Sequence, residues 1–299
     1  MLTRRHFTKI SAAPLIGGVL VHGVNFAAAN DRSLKSLDAV WPKLEAESGG
    51  RLGVAVLDTE SRTASLYRGD ERFPMCSTFK LLAVAATLRK VEQGKEQLVR
   101  RVSIEAADIL SYAPVTKQHV GADGMSVGEL CEAAIIWSDN TAANLLLRSM
   151  GGPSAVTDHA RSLGDEVTRL DRTEPDLNEA TPGDPRDTTT PKAMAENLKR
   201  LTIEKALSDA SRDQLIGWLV GCKTGDAKLR AGLPKAWRVG DKTGSGAYGS
   251  SNDVAVIWSA ADRPPLIVTA YLTGTTASDD KRNATHAAIG RAVAGAISG

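Results

Sequence analysis

The sequence predicts an α/β chain of the α+β type: an antiparallel sheet flanked by helices and formed from both chain ends, with an all-helical domain inserted between them. Three observations predict it. Two short strand-like stretches, 51–57 and 63–68, come early, around a polar turn. Three more, 237–242, 254–259 and 266–272, come late, just before a final helix. Between the two groups the apolar spacing is helical. The expected boundaries are 30–70 and 222–299 for the α/β domain and 71–221 for the helical domain, with 1–29 as an export signal.

The elements follow in order. Leu34, Leu37, Val40, Trp41 and Leu44 repeat at helical spacing, and Gly49-Gly50 ends that helix. After the first two strands, residues 78–91 are rich in alanine and leucine and stop near Gly94. Residues 127–137 and 141–149 give two more helices, the second stopped by Gly151-Gly152-Pro153, and 153–163 gives another. Residues 171–191 carry four prolines among many polar residues and read as one long loop. A loop of that length inside a compact domain is usually functional. Helices return at 192–201 and 211–221, and the last runs over 283–297.

Composition narrows the function. Of 299 residues, 42% are apolar and 24% charged, the balance of a soluble globular chain. A net charge of +2 and 4% aromatics argue against a nucleic-acid partner. No two of the five histidines lie two or four apart, the spacings that present a metal pair on one strand or helix. No metal and no cofactor are expected. Arg4-Arg5 precede a moderately apolar stretch, 10–26, and Ala27-Ala28-Ala29 supplies small residues for cleavage. This resembles a twin-arginine export signal and implies a periplasmic protein with no membrane attachment after its removal. Cys76, Cys131 and Cys222 are odd in number, so at least one thiol is free. Cys131 and Cys222 read as small buried hydrophobes.

Three motifs carry chemistry. In Ser77-Thr78-Phe79-Lys80, serine and lysine three apart share a helix face. A serine at a helix start has backbone N–H groups and the positive dipole end beside it. The lysine can lower the cost of ionising the hydroxyl or relay its proton. Alone the motif is weak, since about one copy is expected by chance. A second copy, Ser278-Asp279-Asp280-Lys281, lies in a polar turn and reads as the decoy. Ser138-Asp139-Asn140 sits between two helices, where capping alone would explain Ser or Asp. Lys-Thr-Gly occurs at 223–225, in a loop, and at 242–244, after a strand. The second is the candidate, because a strand there could lay Lys242 and Thr243 along a cleft with Gly244 and Gly246 open to a ligand.

Together the three motifs resemble the penicillin-recognising serine enzymes. Glu174-Pro175-Asp176-Leu177-Asn178, in the long loop, resembles class A β-lactamases in particular. The pairs Arg172/Asp187 and Arg169/Asp171 match those that close that family's loop. The resemblance covers the chain from its first helix to its last. It implies hydrolysis of penicillins, and of cephalosporins as well given Ser245, through an acyl-enzyme on Ser77, conferring β-lactam resistance. Ser77 and Ser245 N–H would form the oxyanion hole. Lys80 and Glu174 compete as acylation base, and Glu174 would drive deacylation with Asn178 positioning the water. Ser138 would protonate the leaving nitrogen, with Lys242 holding it. Thr243 and Ser245 would bind the substrate carboxylate and Asn140 the acylamino side chain, while Tyr112 would wall the cleft. The resemblance also implies a monomer with β-lactam substrates as its only partners.

Departures matter equally. The arginine that usually completes the carboxylate pocket has no fixed source; Arg282 is the first choice here, Lys228 and Arg230 the rivals. Cys76 resembles a cysteine of the carbapenem-hydrolysing subgroup, but its disulfide partner position holds Gly246, so that bridge cannot form. Cys131 matches half of another family disulfide, whose second position holds Val84. A D,D-peptidase would share Ser77, Lys80, Ser138 and Lys242, and Glu174 argues against it. A β-lactam sensor domain would need a membrane signalling segment. A general esterase would place Gly-x-Ser-x-Gly around the nucleophile, and Ser77 lacks it.

Overall fold

The computed structural model describes residues 31–298. The expected export signal lies outside them. Two short helices open the described residues, α1 (Asp31–Leu37) and α2 (Trp41–Ser48), where the sequence suggested one. Pro42 explains the break: it fits only the first turn of a helix, so a new helix starts at Trp41. Gly49, at φ 67°, ends α2 in the left-handed conformation that glycine adopts without strain.

The central sheet joins both ends of the chain. β1 (Arg51–Asp58), β2 (Thr63–Tyr67), β7 (Arg238–Gly246), β8 (Ser250–Trp258) and β9 (Leu266–Thr273) are ordered β2-β1-β9-β8-β7, every pair antiparallel. β9 lies where expected to within a residue, whereas β7 ends later and β8 starts earlier than expected. β7 in particular continues through Lys242-Thr243-Gly244 to Gly246. Side chains alternate across the sheet. Val54, Val56, Ala255, Val268 and Ala270 pack on one face with Leu37, Trp41 and Ile289, beneath α1, α2 and α10 (Asp279–Ser298). Ala55, Leu57, Val254, Val256 and Ile267 pack on the other against the inserted helices. Both faces are covered, which is why these strands read as near-continuous apolar runs.

The insertion holds α3 (Phe79–Glu92), α4 (Val127–Ile136), α5 (Asn140–Met150), α6 (Ser154–Ser162), α7 (Pro191–Thr202) and α8 (Asp209–Val220), followed by the single turn α9 (Leu229–Gly232). α3 is its axis. Phe79 to Leu88 are all buried, so the helix is enclosed on every side. Truncating a residue such as Leu82 to alanine at its centre should cost about 2–5 kcal/mol. Caps set the other starts. Ser126 and Glu129 form a reciprocal capping box on α4, and Thr190 accepts from Ala193 N ahead of Pro191 on α7. Two small ladders escaped the sequence. β3 (Phe73–Pro74) pairs with β6 (Thr188–Thr189), and β4 (Arg101–Ile104) pairs with β5 (Gly121–Ser126). Two-residue strands and a glycine-interrupted one carry no alternation to read. Among the described residues, no helix is long and apolar enough to cross a membrane.

Candidate active site

The cleft lies where α3, the α4–α5 junction, the long loop and β7 meet. Ser77 sits in a helical turn, Cys76–Thr78, that leads into α3. Lys80, one turn on, would be a liability inside so apolar a helix without partners. It has several: its ammonium donates to Ser77 Oγ at 2.9 Å, Ser138 O at 2.8 Å and Asn140 Oδ1 at 2.6 Å, and lies 3.0 Å from Glu174 Oε1. Burial pushes its pKa below the usual lysine value, and the Glu174 carboxylate opposes that shift. Ser77 Oγ in turn donates to Glu174 Oε1 at 3.2 Å. Ser77 Oγ thus touches a buried carboxylate and a buried ammonium at once.

Glu174 is held from both sides. Asn144 on α5 brackets its backbone, accepting from Glu174 N at 2.9 Å and donating to Glu174 O at 2.8 Å. Asn178 donates to Glu174 Oε2. The loop is closed by Arg172 Nε on Asp187 Oδ2 at 2.7 Å, while Asp187 Oδ1 accepts Asp171 N and Arg172 N. Arg169 Nε meets Asp171 Oδ2 at 2.9 Å. Both expected ion pairs are therefore present. Ala247 N donates to Asn178 O at 2.9 Å and ties the loop to the end of β7.

Ser138 stands between the two lysines. Its Oγ accepts from Lys242 Nζ at 3.0 Å and lies 3.4 Å from Lys80 Nζ. Lys242 is fully buried; burial, then the nearby Lys80 charge, push its pKa down to about 8. Asp139 faces away from the cleft. It accepts Val115 N, Thr116 N, Thr116 Oγ1 and Ala142 N, so it caps α5 and clamps the 112–116 segment. Asn140 N donates to Tyr112 O in the same segment, which fixes the wall that Tyr112 makes.

The cleft itself is a cavity of about 380 Å³ lined by Ser77, Tyr112, Ser138, Asn140, Asn178, Thr224, Lys228, Thr243, Gly244 and Ser245. β7 passes very close to the Ser77 turn: a Cβ on Gly244 would lie 2.8 Å from Met75 O and 3.2 Å from Ser77 N. A Cβ on Gly246 would lie 2.6 Å from Cys76 Sγ. All three cysteines are free and buried.

One expected residue is misplaced. Arg282 does not line the cleft; its guanidinium is taken up by Ala277 O at 2.5 Å and by Asp279, one turn back on α10. A cation near a helix N-terminus is drawn to the acids that cap that end. Lys228 lines the cleft instead, 7% exposed, with Nζ 2.5 Å from Ser251 Oγ. Arg230 is bound to Asp241. Thr224, set aside with the first Lys-Thr-Gly, also lines the cleft, its Oγ1 2.6 Å from Thr243 Oγ1. The second Ser-x-x-Lys leaves Lys281 exposed.

Comparison with known proteins decides the family. The model of the β-lactamase enzyme family matches residues 35–297. The chain belongs to the class A β-lactamases. It is 53% identical to β-lactamase Toho-1 of Escherichia coli over 250 residues, 84% of this chain and 85% of that one. It is 47% identical to β-lactamase L2 of Stenotrophomonas maltophilia over 297 residues, 97% and 98% of the two chains. The structure of a reconstructed ancestral class A β-lactamase superposes with a TM-score of 0.85 at 61% identity, covering 87% of this chain and 99% of that one. A putative class A enzyme of Rhodopseudomonas palustris, PenP, gives 0.85 at 58%, with 87% and 99% covered. This β-lactamase is a serine enzyme that hydrolyses β-lactams.

Proposed function

We propose that Ser77 is the nucleophile and that the Lys80–Glu174 pair removes its proton as one unit. Both groups reach Ser77 Oγ, at 2.9 and 3.2 Å, and they lie 3.0 Å apart. Groups coupled that tightly titrate together. Ser77 Oγ attacks the lactam carbonyl, and the oxyanion is received by the Ser77 and Ser245 N–H groups, each worth about 3 kcal/mol of barrier. Ser138 Oγ gives its proton to the lactam nitrogen as the C–N bond breaks, and Lys242, 3.0 Å away, stabilises the alkoxide it leaves. Glu174, with Asn178, then takes a proton from water, which attacks the ester and frees Ser77. Two modest barriers replace one high one.

Thr243 and Ser245 hold the substrate carboxylate, with Lys228 as the cation of that subsite and Thr224 orienting Thr243. Asn140 binds the acylamino group and Tyr112 forms the outer wall. The Ser245 hydroxyl beside Thr243 suits cephalosporins as well as penicillins. The 30–70/222–299 and 71–221 segments act as two lobes with the cleft between them. The Arg4-Arg5 signal sends the enzyme to the periplasm as a monomer. The observation that carries the reading is the contact of Ser77 Oγ with both Lys80 and Glu174. Counting penicillin consumed per enzyme molecule tests it. Hundreds of turnovers support the reading, and a halt near one equivalent means a penicillin-binding protein.

A further inference from the structure

Behind the carboxylate subsite lie two carboxyl groups that the reaction does not use. Asp241 on β7 and Asp253 on β8 are both wholly buried. Asp253 pairs with Thr243, two residues beyond Asp241, so the two side chains share a face as diagonal neighbours. Asp241 Oδ1 receives Arg230 Nε at 2.6 Å, and Asp253 Oδ2 receives Leu229 N at 3.1 Å. The other two oxygens, Asp241 Oδ2 and Asp253 Oδ1, have no donor, although the two carboxyls are within hydrogen-bonding reach of each other. No other side chain can supply one from the Gly225 side, where a Cβ would lie 1.8 Å from Asp241 Oδ2. Two ionised carboxylates in contact away from water would repel strongly; one proton between them satisfies both orphaned oxygens.

We infer that Asp241 and Asp253 share a single proton at neutral pH, and that this proton sets the net charge behind the Lys228 anchor. With it, Lys228 and Arg230 face one negative charge, and the group is net positive toward a substrate carboxylate. Without it, the group is neutral. Burial pushes both aspartates above the ordinary carboxylate range, Asp253 well above. The other groups facing the pair do not replace the proton. His286 on α10 hydrogen-bonds through Nε2 to Ser251 O at 3.0 Å, and burial holds it neutral. Arg282 and Asp279 neutralise each other. Burial pushes the Cys76 and Cys222 thiols upward. Lys242 is engaged with Ser138 and Thr243 O. Asp241 and Asp253 are thus positioning residues that act through Lys228, and the inference rests on the reading of Lys228 as anchor.

The proton is read directly by carboxyl ¹³C NMR of protein labelled at aspartate. A protonated carboxyl signal at neutral pH that vanishes in Asp253→Asn is expected; two ionised signals would overturn the inference. Asp253→Asn keeps the charge of the protonated pair, because its amide can donate to Asp241 at every pH. As pH rises through the loss of that signal, the parent KM for penicillin should therefore rise on the order of threefold more than that of Asp253→Asn, with the kcat profiles alike. Equal rises would overturn the charge-setting role, and so would loss of the difference in Lys228→Arg, which would make the lysine the titrating group. If Lys228→Met left KM unchanged, the anchor reading would fail while the NMR signal stood.

Discussion

Replacing Glu174 with glutamine should turn the enzyme into a trap for its own intermediate. The substitution removes the base but few contacts. Glutamine Oε1 can still accept from Lys80, and Asn178 can turn its amide so that Oδ1, which has no partner in the parent, accepts from the new side-chain NH₂. Lys80 loses its counter-ion yet keeps Ser77 Oγ, Ser138 O and Asn140 Oδ1. Breaking a buried ion pair typically costs about 3–5 kcal/mol, and the retained hydrogen bonds should hold the loss below that. The kinetic effect is larger. A positioned general base contributes about 10²–10⁴-fold, or roughly 3–5 kcal/mol of barrier. Acylation retains Lys80, so deacylation should slow more and the acyl-enzyme should accumulate. Intact-mass spectrometry after mixing with excess penicillin should show protein heavier by one penicillin. Turnover at the parent rate with no adduct would refute Glu174 as the base of deacylation.

Other outcomes follow from the same geometry. Lys228→Met should raise KM for penicillin about tenfold with little change in kcat, measured by steady-state hydrolysis, because it removes a cation from the carboxylate subsite only. Asp139→Ala should lower stability by about 3 kcal/mol in urea unfolding, since it strands four donors that are buried or half-buried. The pKa of Lys242, lowered to about 8, gives an alkaline limb. The charged form is lost as pH rises through that value, so kcat/KM should fall above about pH 8, and a profile flat to pH 10 would remove Lys242 from the proton path.

Much of this site was legible in the sequence because its pieces are local. Ser77 and Lys80 are one helical turn apart, and Glu174 and Asn178 share one turn of the loop. Periodicity gave α3 and the three long strands for the same reason. What it missed depends on distance. Lys228 enters the cleft only because β7 and β8 bring Ser251 beside it, and nothing local separates it from Arg282. Thr224 belongs to a motif copy that looked like a plain loop until β7 placed Thr243 against it. Asn144 had no signal except a polar residue on the amphipathic α5, at the position that meets the Glu174 backbone. The Asp139 motif position did carry a local signal, but capping explains only one of its contacts.

The central claim is that Ser77 forms the bond to substrate. Its most direct test is penicillin hydrolysis by Ser77→Ala, with circular dichroism to confirm the fold. A small buried hydroxyl is removed, and Lys80 keeps Glu174, Ser138 and Asn140, so the protein should fold as the parent does. The account predicts a loss of about 10⁵–10⁶ in kcat. Hydrolysis within tenfold of the parent by a folded Ser77→Ala enzyme would contradict it.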